Sequence, residues 1–251
     1  MYLLYANESG DAGRLGSPSH AFAIAFVVAQ RSSDRLAHDD YTRFRDYLHT
    51  YFRIAPDWPL RVHDLLHQKG PIADLHLSPA AQMAVFRAIM RFQRNCTHLR
   101  TFAIAVDKRR LADTWLKPSR WSEPHLALRP VSMRWSMWLY ALRWVERLTV
   151  RDGVFLRLRE DWLIQDSGEP FVRVADHGGQ HKYVSADEPL IQLASFNAYA
   201  ACRVVEPSRR MDARMWDELG RARVNDEYEE RAGLLILPTK SPQAGGRMSP
   251  Y

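Results

Sequence analysis

Cysteine is scarce. Cys96 and Cys202 are the only two in 251 residues, too few and too far apart to build a disulfide scaffold. Both sit in apolar surroundings, as buried free thiols do in a reducing compartment. No apolar run approaches the roughly 18 residues that cross a bilayer. No basic-then-apolar leader opens the chain. The expectation is a cytoplasmic protein with no membrane partner. Lysine is also rare, because most of the 35 basic residues are arginine. The His-Glu-x-x-His pattern of zinc proteases is absent, and nothing after the Gly178-Gly179 turn resembles a phosphate-cradling loop. Ser9 and Ser167 have no matching histidine–acid pattern, which argues against a serine hydrolase. There is no internal repeat.

What is present suffices for a globular core. Hydrophobic residues make up 46% of the chain and aromatics 11%, which excludes a disordered chain. The formal charge is +6 and the isoelectric point about 9.5. Arginine suits bidentate contacts with phosphate or carboxylate, so the balance points weakly to nucleic acid. It fits an arginine-biased coding sequence equally well.

The expected elements alternate. Residues 2–7 and 21–29 read as strands, the second apolar on both faces as a central strand is. Residues 34–54 carry Tyr41, Phe44, Tyr47, Leu48 and Tyr51 at helical spacing. Ser78-Pro79 starts a helix to about residue 95, with serine as cap and proline in the first turn. Residues 99–106 form a strand. A long helix over 130–149, a short strand over 162–165 and a helix from Pro189 through Val204 follow, with a further helix over 209–220. The order predicts a single α/β domain over 1–237, with one central mixed sheet flanked by helices. Residues 238–251 have linker composition and read as a mobile tail.

Three of the expected strands end in polar clusters: Asn7-Glu8, Asp107-Lys108 and Asp166-Ser167. Strand ends gather along one edge of an α/β sheet, where ligands bind. Carboxylates gathered there repel, and a divalent cation relieves the repulsion. Oxygen ligands suit Mg²⁺ or Mn²⁺, and a pair of such ions supports phosphodiester hydrolysis. Each acid also has a structural reading. Asp107 can cap the segment that follows it, Asp166 can sit in a turn, and Glu8 can bind backbone amides.

Other features carry less. His63 and His67 share a helix face if that segment is helical, but a zinc site needs more ligands. His63 suits proton transfer near neutral pH. Arg143, Arg147 and Arg151 form a stripe that reads as a solvated face or a phosphate contact. The tryptophans at 121, 135, 138 and 144 read as core before base-stacking platforms.

The opening Tyr-Ala-Asn-Glu-Ser-Gly-Asp resembles the Tyr-x-Asp-Glu-Ser-Gly-Asp signature of the domain-of-unknown-function 3800 family. Arg61-Val62-His63-Asp64-Leu65 resembles that family's short histidine segment. Residues 103–108 look like its strand ending in Asp-Lys, and 163–166 like its later strand ending in an acid. Residues 191–199 resemble its C-terminal helix motif. The matches run in order over residues 2 to 204.

The resemblance implies an RNase H-like fold and a metal-dependent nuclease acting on DNA or RNA. Glu8, Asp107 and Asp166 would then hold one or two Mg²⁺ or Mn²⁺ ions, with Asn7 as a neutral ligand. Ser9, Lys108, Gln192 and Ser195 would line the site, and His63 would assist proton transfer. The chain departs from the family pattern twice: Asn7 stands where it has aspartate, and so does Ser195. Neutral oxygens hold a hard cation poorly. Three readings stand open. The protein binds nucleic acid or a protein partner without cutting. It cuts with a rearranged set that includes Asp11. Or Asn7 is an introduced change that traps substrate.

Overall fold

The computed structural model describes residues 2–11, 19–110, 154–159, 180–224 and 232–237. Among the described residues, six strands form one sheet in the order β5-β4-β1-β2-β3-β6. They are β1 (Tyr2–Gly10), β2 (Ala21–Gln30), β3 (Leu99–Asp107), β4 (Val154–Arg159), β5 (Gln180–Val184) and β6 (Leu234–Leu237). β2 is antiparallel to both β1 and β3. β4 runs parallel to β1, β5 to β4, and β6 to β3. Five strands therefore point one way and β2 opposes them. The sheet is mixed and flanked by helices, as expected.

The three longest strands form because their apolar runs satisfy both sheet faces. Leu3 and Tyr5 with Ala21, Ala23, Ala25 and Val27 turn to the helical layer. Leu4, Phe22, Ile24, Phe26, Phe102 and Ile104 on the opposite face are equally buried. There Phe26 and Phe102 stack at 4.6 Å. Each such side chain contributes on the order of 1.5–3 kcal/mol on burial. β1 continues three residues past the expected end, because pairing is a backbone property. Glu8, Ser9 and Gly10 stay in register with Ile24, Ala23 and Phe22. Gly10 closes the strand at φ +85°, and a Cβ there would lie 2.3 Å from the Ala21 carbonyl oxygen.

The helical layer contains α1 (Asp34–Phe52), α2 (Val62–His67), α3 (Pro79–Asn95), α4 (Pro189–Val205) and the single turn α5 (Arg214–Asp217). α1 stops one residue short of Arg53, which takes a left-handed conformation. At α3, Ser78 caps as expected, its hydroxyl accepting from the Ala81 amide. The helix expected over 209–220 is shorter: α5 and a 3₁₀ turn at Gly220–Ala222 are all that form there.

Two buried polar networks tie these helices. Gln93 of α3 and Asn197 of α4 exchange amide hydrogen bonds at 2.8 Å each. Asn197 also donates to Thr101 Oγ1 on β3 at 2.8 Å, and Thr101 donates to the Phe26 carbonyl. Arg45 of α1 donates to the Ala55 and Trp58 carbonyls, which clamps the loop after α1. The helix expected over 130–149, the strand over 162–165 and the tail over 238–251 lie outside the described residues.

Candidate functional site

Because β1, β3 and β4 run parallel to one another, their C-terminal ends fall on the same sheet edge. For β1 and β3 that agrees with the expected gathering of strand ends, whereas the third expected strand, 162–165, lies outside the described residues. The register shows how far the gathering goes. Asn7 pairs with Ala25, and Ala25 with Ala103. Asp107 lies four residues further along β3 and two strands away. With a rise of about 3.3 Å per residue and about 4.8 Å between strands, the two Cα atoms are on the order of 16 Å apart. The residue level with Asp107 is not Asn7 but Asp11, immediately after the end of β1.

Asn7 is buried and faces the helical layer. Its Nδ2 donates to the Ile191 carbonyl in the first turn of α4 at 3.2 Å, and its Oδ1 accepts from the Glu8 amide at 2.8 Å. An aspartate could accept the second bond but not donate the first. Glu8 follows on the strand and therefore points to the other face. Ser9 returns to the helical face, and its carbonyl accepts from the Cys202 thiol at 3.2 Å. Burial pushes that thiol up to about 12.

Asp107 is buried at the end of β3. Its Oδ1 accepts from the Arg109 amide at 3.1 Å and from Arg109 Nε at 3.3 Å. Its Oδ2 lies 3.4 Å from Arg110 Nε. Arg109 also donates to the Val205 carbonyl, one of the last acceptors of α4. A cation at a helix C-terminus is favourable. Lys108 is buried, which lowers the pKa of its ammonium group, and Asp11 opposes that shift from 3.9 Å.

On α4, Gln192 is a structural hub. Its Oε1 accepts from Tyr41 Oη at 2.8 Å and the Leu60 amide at 3.0 Å, while Nε2 donates to the Asp187 carbonyl at 2.7 Å. Ser195 is half-buried one turn beyond Ile191. Asn7 and Ser195 thus lie on touching elements, β1 and α4. His63 is exposed on α2, its ring 4.7 Å from that of His67 and its Nδ1 3.7 Å from Asp64. Asp166 lies outside the described residues. β4 ends at Arg159, and the sequence continues Glu160-Asp161.

Sequence reasoning missed one titratable cluster. His38 of α1 bonds Glu188 Oε1 through Nε2 at 2.7 Å and the Asp34 carbonyl through Nδ1 at 2.8 Å. Tyr5 Oη donates to Asp34 Oδ1 at 2.9 Å. The Glu188 bond raises His38 to about 9, so the ring is protonated at neutral pH and both nitrogens donate. The four-residue spacing of Asp34 and His38 was a readable signal. Glu188, 150 residues away, was not.

Asn7, Glu8 and Asp107 do not converge on one point, and Asp107 already has two guanidinium partners. These three residues do not fit a shared Mg²⁺ or Mn²⁺ site. Among the described residues no group of three or more His, Cys, Asp and Glu is placed to hold a metal ion. None of the described helices is long and apolar enough to cross a membrane. Comparison with known proteins matched no family model, curated protein or solved structure.

Proposed function

We propose that this chain is a nucleic-acid-binding protein of RNase H-like build, related to the domain-of-unknown-function 3800 family, that binds without cutting. The mixed sheet with β1 at its centre and α4 across it supports the fold assignment. One observation carries the function: both oxygens of Asp107 are held by arginines. At the edge where a nuclease would gather anions around a cation, this chain places Arg109 and Arg110, with Lys108 buried beneath them. Arg109 and Arg110 keep 54% and 37% of their side chains exposed. Such an edge recruits phosphate oxygens, not a metal ion. Asn7 fits the same picture, because its amide is used to fasten α4.

The test is fluorescence anisotropy with labelled RNA, DNA and hybrid, in EDTA and at several salt concentrations. Affinity should persist in EDTA and fall steeply with salt. Incubation with Mg²⁺ or Mn²⁺ should give no cleavage. Cleavage that disappears in Glu8→Gln or Asp166→Ala would replace this reading with a nuclease using a rearranged acid set.

A further inference from the structure

The antiparallel packing of α1 and α3 leaves a groove of about 640 Å³ on the helical side of the molecule. That is within the range of ligand clefts. Its walls combine two chemistries: Arg43, Arg87 and Arg91, and the rings of Phe44, Tyr47 and Phe92. We propose that this groove is a binding site for single-stranded nucleic acid, with bases stacked on the aromatic rings and phosphates on the arginines. This deepens the nucleic-acid reading above and rests on it, but the site is separate from the sheet edge.

The rings form a ladder that leads outward. Phe92 and Phe44 stack at 4.5 Å with planes 14° apart. Phe44 and Tyr47 lie 6.1 Å apart with planes 17° apart. Tyr47 then meets Tyr51 at 4.6 Å, one helical turn on. The inner rings are buried or half-buried, whereas Tyr47 is 44% exposed and Tyr51 69%. Large aromatic side chains left in water at the mouth of a charged groove are not explained by core packing. Their faces suit bases of any sequence, because every base has a π-face.

The arginines supply the second half of the recognition. Arg91 grips Glu218 with Nε at 2.7 Å and Nη2 at 3.1 Å, and Arg87 Nε reaches the same carboxylate at 3.2 Å. Glu218 itself does not line the groove, so in the proposed complex a phosphate would compete with this carboxylate for the two guanidinium groups. Arg43 stands on the opposite wall, paired with Asp40. Asp40 also accepts from the Cys96 thiol, whose pKa burial pushes up to about 11. That thiol stays protonated and adds no charge to the groove. A duplex buries its base faces in its own stack, so the ring ladder selects single strands.

The experiment compares labelled oligothymidylate with a duplex of the same length, using the full chain and three variants. Tyr51→Ser removes the outermost ring, Arg87→Gln a phosphate contact, and Glu218→Gln the resident carboxylate. The wild type should prefer the single strand. Tyr51→Ser and Arg87→Gln should each weaken binding about tenfold. Arg87→Gln should also lower the salt slope by about 0.7. Glu218→Gln should tighten binding several-fold, an effect that a merely damaged fold would not give. If the wild type binds but all three variants match it, or if duplex binds equally well, the groove proposal is overturned and the nucleic-acid reading survives. If the wild type binds no nucleic acid, both are overturned.

Discussion

The side-chain amide of Asn7 on β1 donates to the carbonyl of Ile191 in the first turn of α4, 3.2 Å away and 184 residues along the chain. The bond crosses from the centre of the sheet to the helix that covers it, and it is buried. Asparagine is required for it in a way aspartate cannot meet, since a carboxylate would face the Ile191 oxygen with charge and no hydrogen. Asn7→Asp should therefore lower unfolding free energy by about 1–3 kcal/mol. Chemical denaturation at neutral pH measures it. A variant as stable as the wild type would overturn the fastening role, and one that gains cleavage with Mg²⁺ would make Asn7 a lost ligand.

His38 should make stability depend on alkaline pH. Its folded pKa is raised to about 9 by Glu188, above the unfolded value of about 6.5. A raised histidine contributes fully below the unfolded value and loses its contribution as pH rises through the folded one. The window is therefore pH 6.5 to 9. The ring is partly exposed, so solvent screening limits the effect to about 1–2 kcal/mol. Denaturation midpoints should fall across that window in the wild type and stay flatter in His38→Gln. Parallel pH profiles for the two proteins would remove His38 from the account.

The parts of the fold that were readable had local causes. Ser78-Pro79 and Pro189 announce α3 and α4 within a few residues. Continuous apolar runs announce β1, β2 and β3. β4 carries a local signal, the alternation Leu156-Arg157-Leu158-Arg159, but one too short to separate from a loop by pattern alone. β5, with Gln180, His181 and Lys182, has little apolar pattern of its own. It forms by pairing with β4, an interaction that no local window contains. The site follows the same division. Asn7 stood out in its strand, but its acceptor is a backbone carbonyl on a distant helix. Asp107 had an acid's reading and a cap's reading, and the nearby Arg109 realises the cap.

The Gln93–Asn197 pair should be strongly coupled. Each amide satisfies the other in a fully buried setting, and Asn197 also serves Thr101. Gln93→Leu strands one donor and one acceptor on Asn197, which costs about 1–3 kcal/mol beyond the change in apolar burial. Replacing both by leucine removes the stranded groups at that contact. A double-mutant cycle should give a coupling energy of at least about 1 kcal/mol. Additive single effects would mean that the two amides are held by other parts of the structure.

Asp107→Asn separates the binding reading from the nuclease reading by sign. The amide keeps an oxygen that can accept from the Arg109 backbone, so the cap at the start of the following turn survives. What disappears is the negative charge that Arg109 and Arg110 now share. Two partly exposed guanidinium groups then face solvent with less to hold them. In a protein that binds phosphate at this edge, affinity for nucleic acid should rise. One unit charge a few ångströms from a phosphate is worth about 1 kcal/mol in water, so the gain should be about fivefold at low salt and smaller at high salt. In a nuclease that uses Asp107 to hold a cation, the same substitution would abolish Mg²⁺- or Mn²⁺-dependent cleavage. Binding and cleavage measured on one preparation distinguish the two, because the binding role requires a gain where the catalytic role requires a loss.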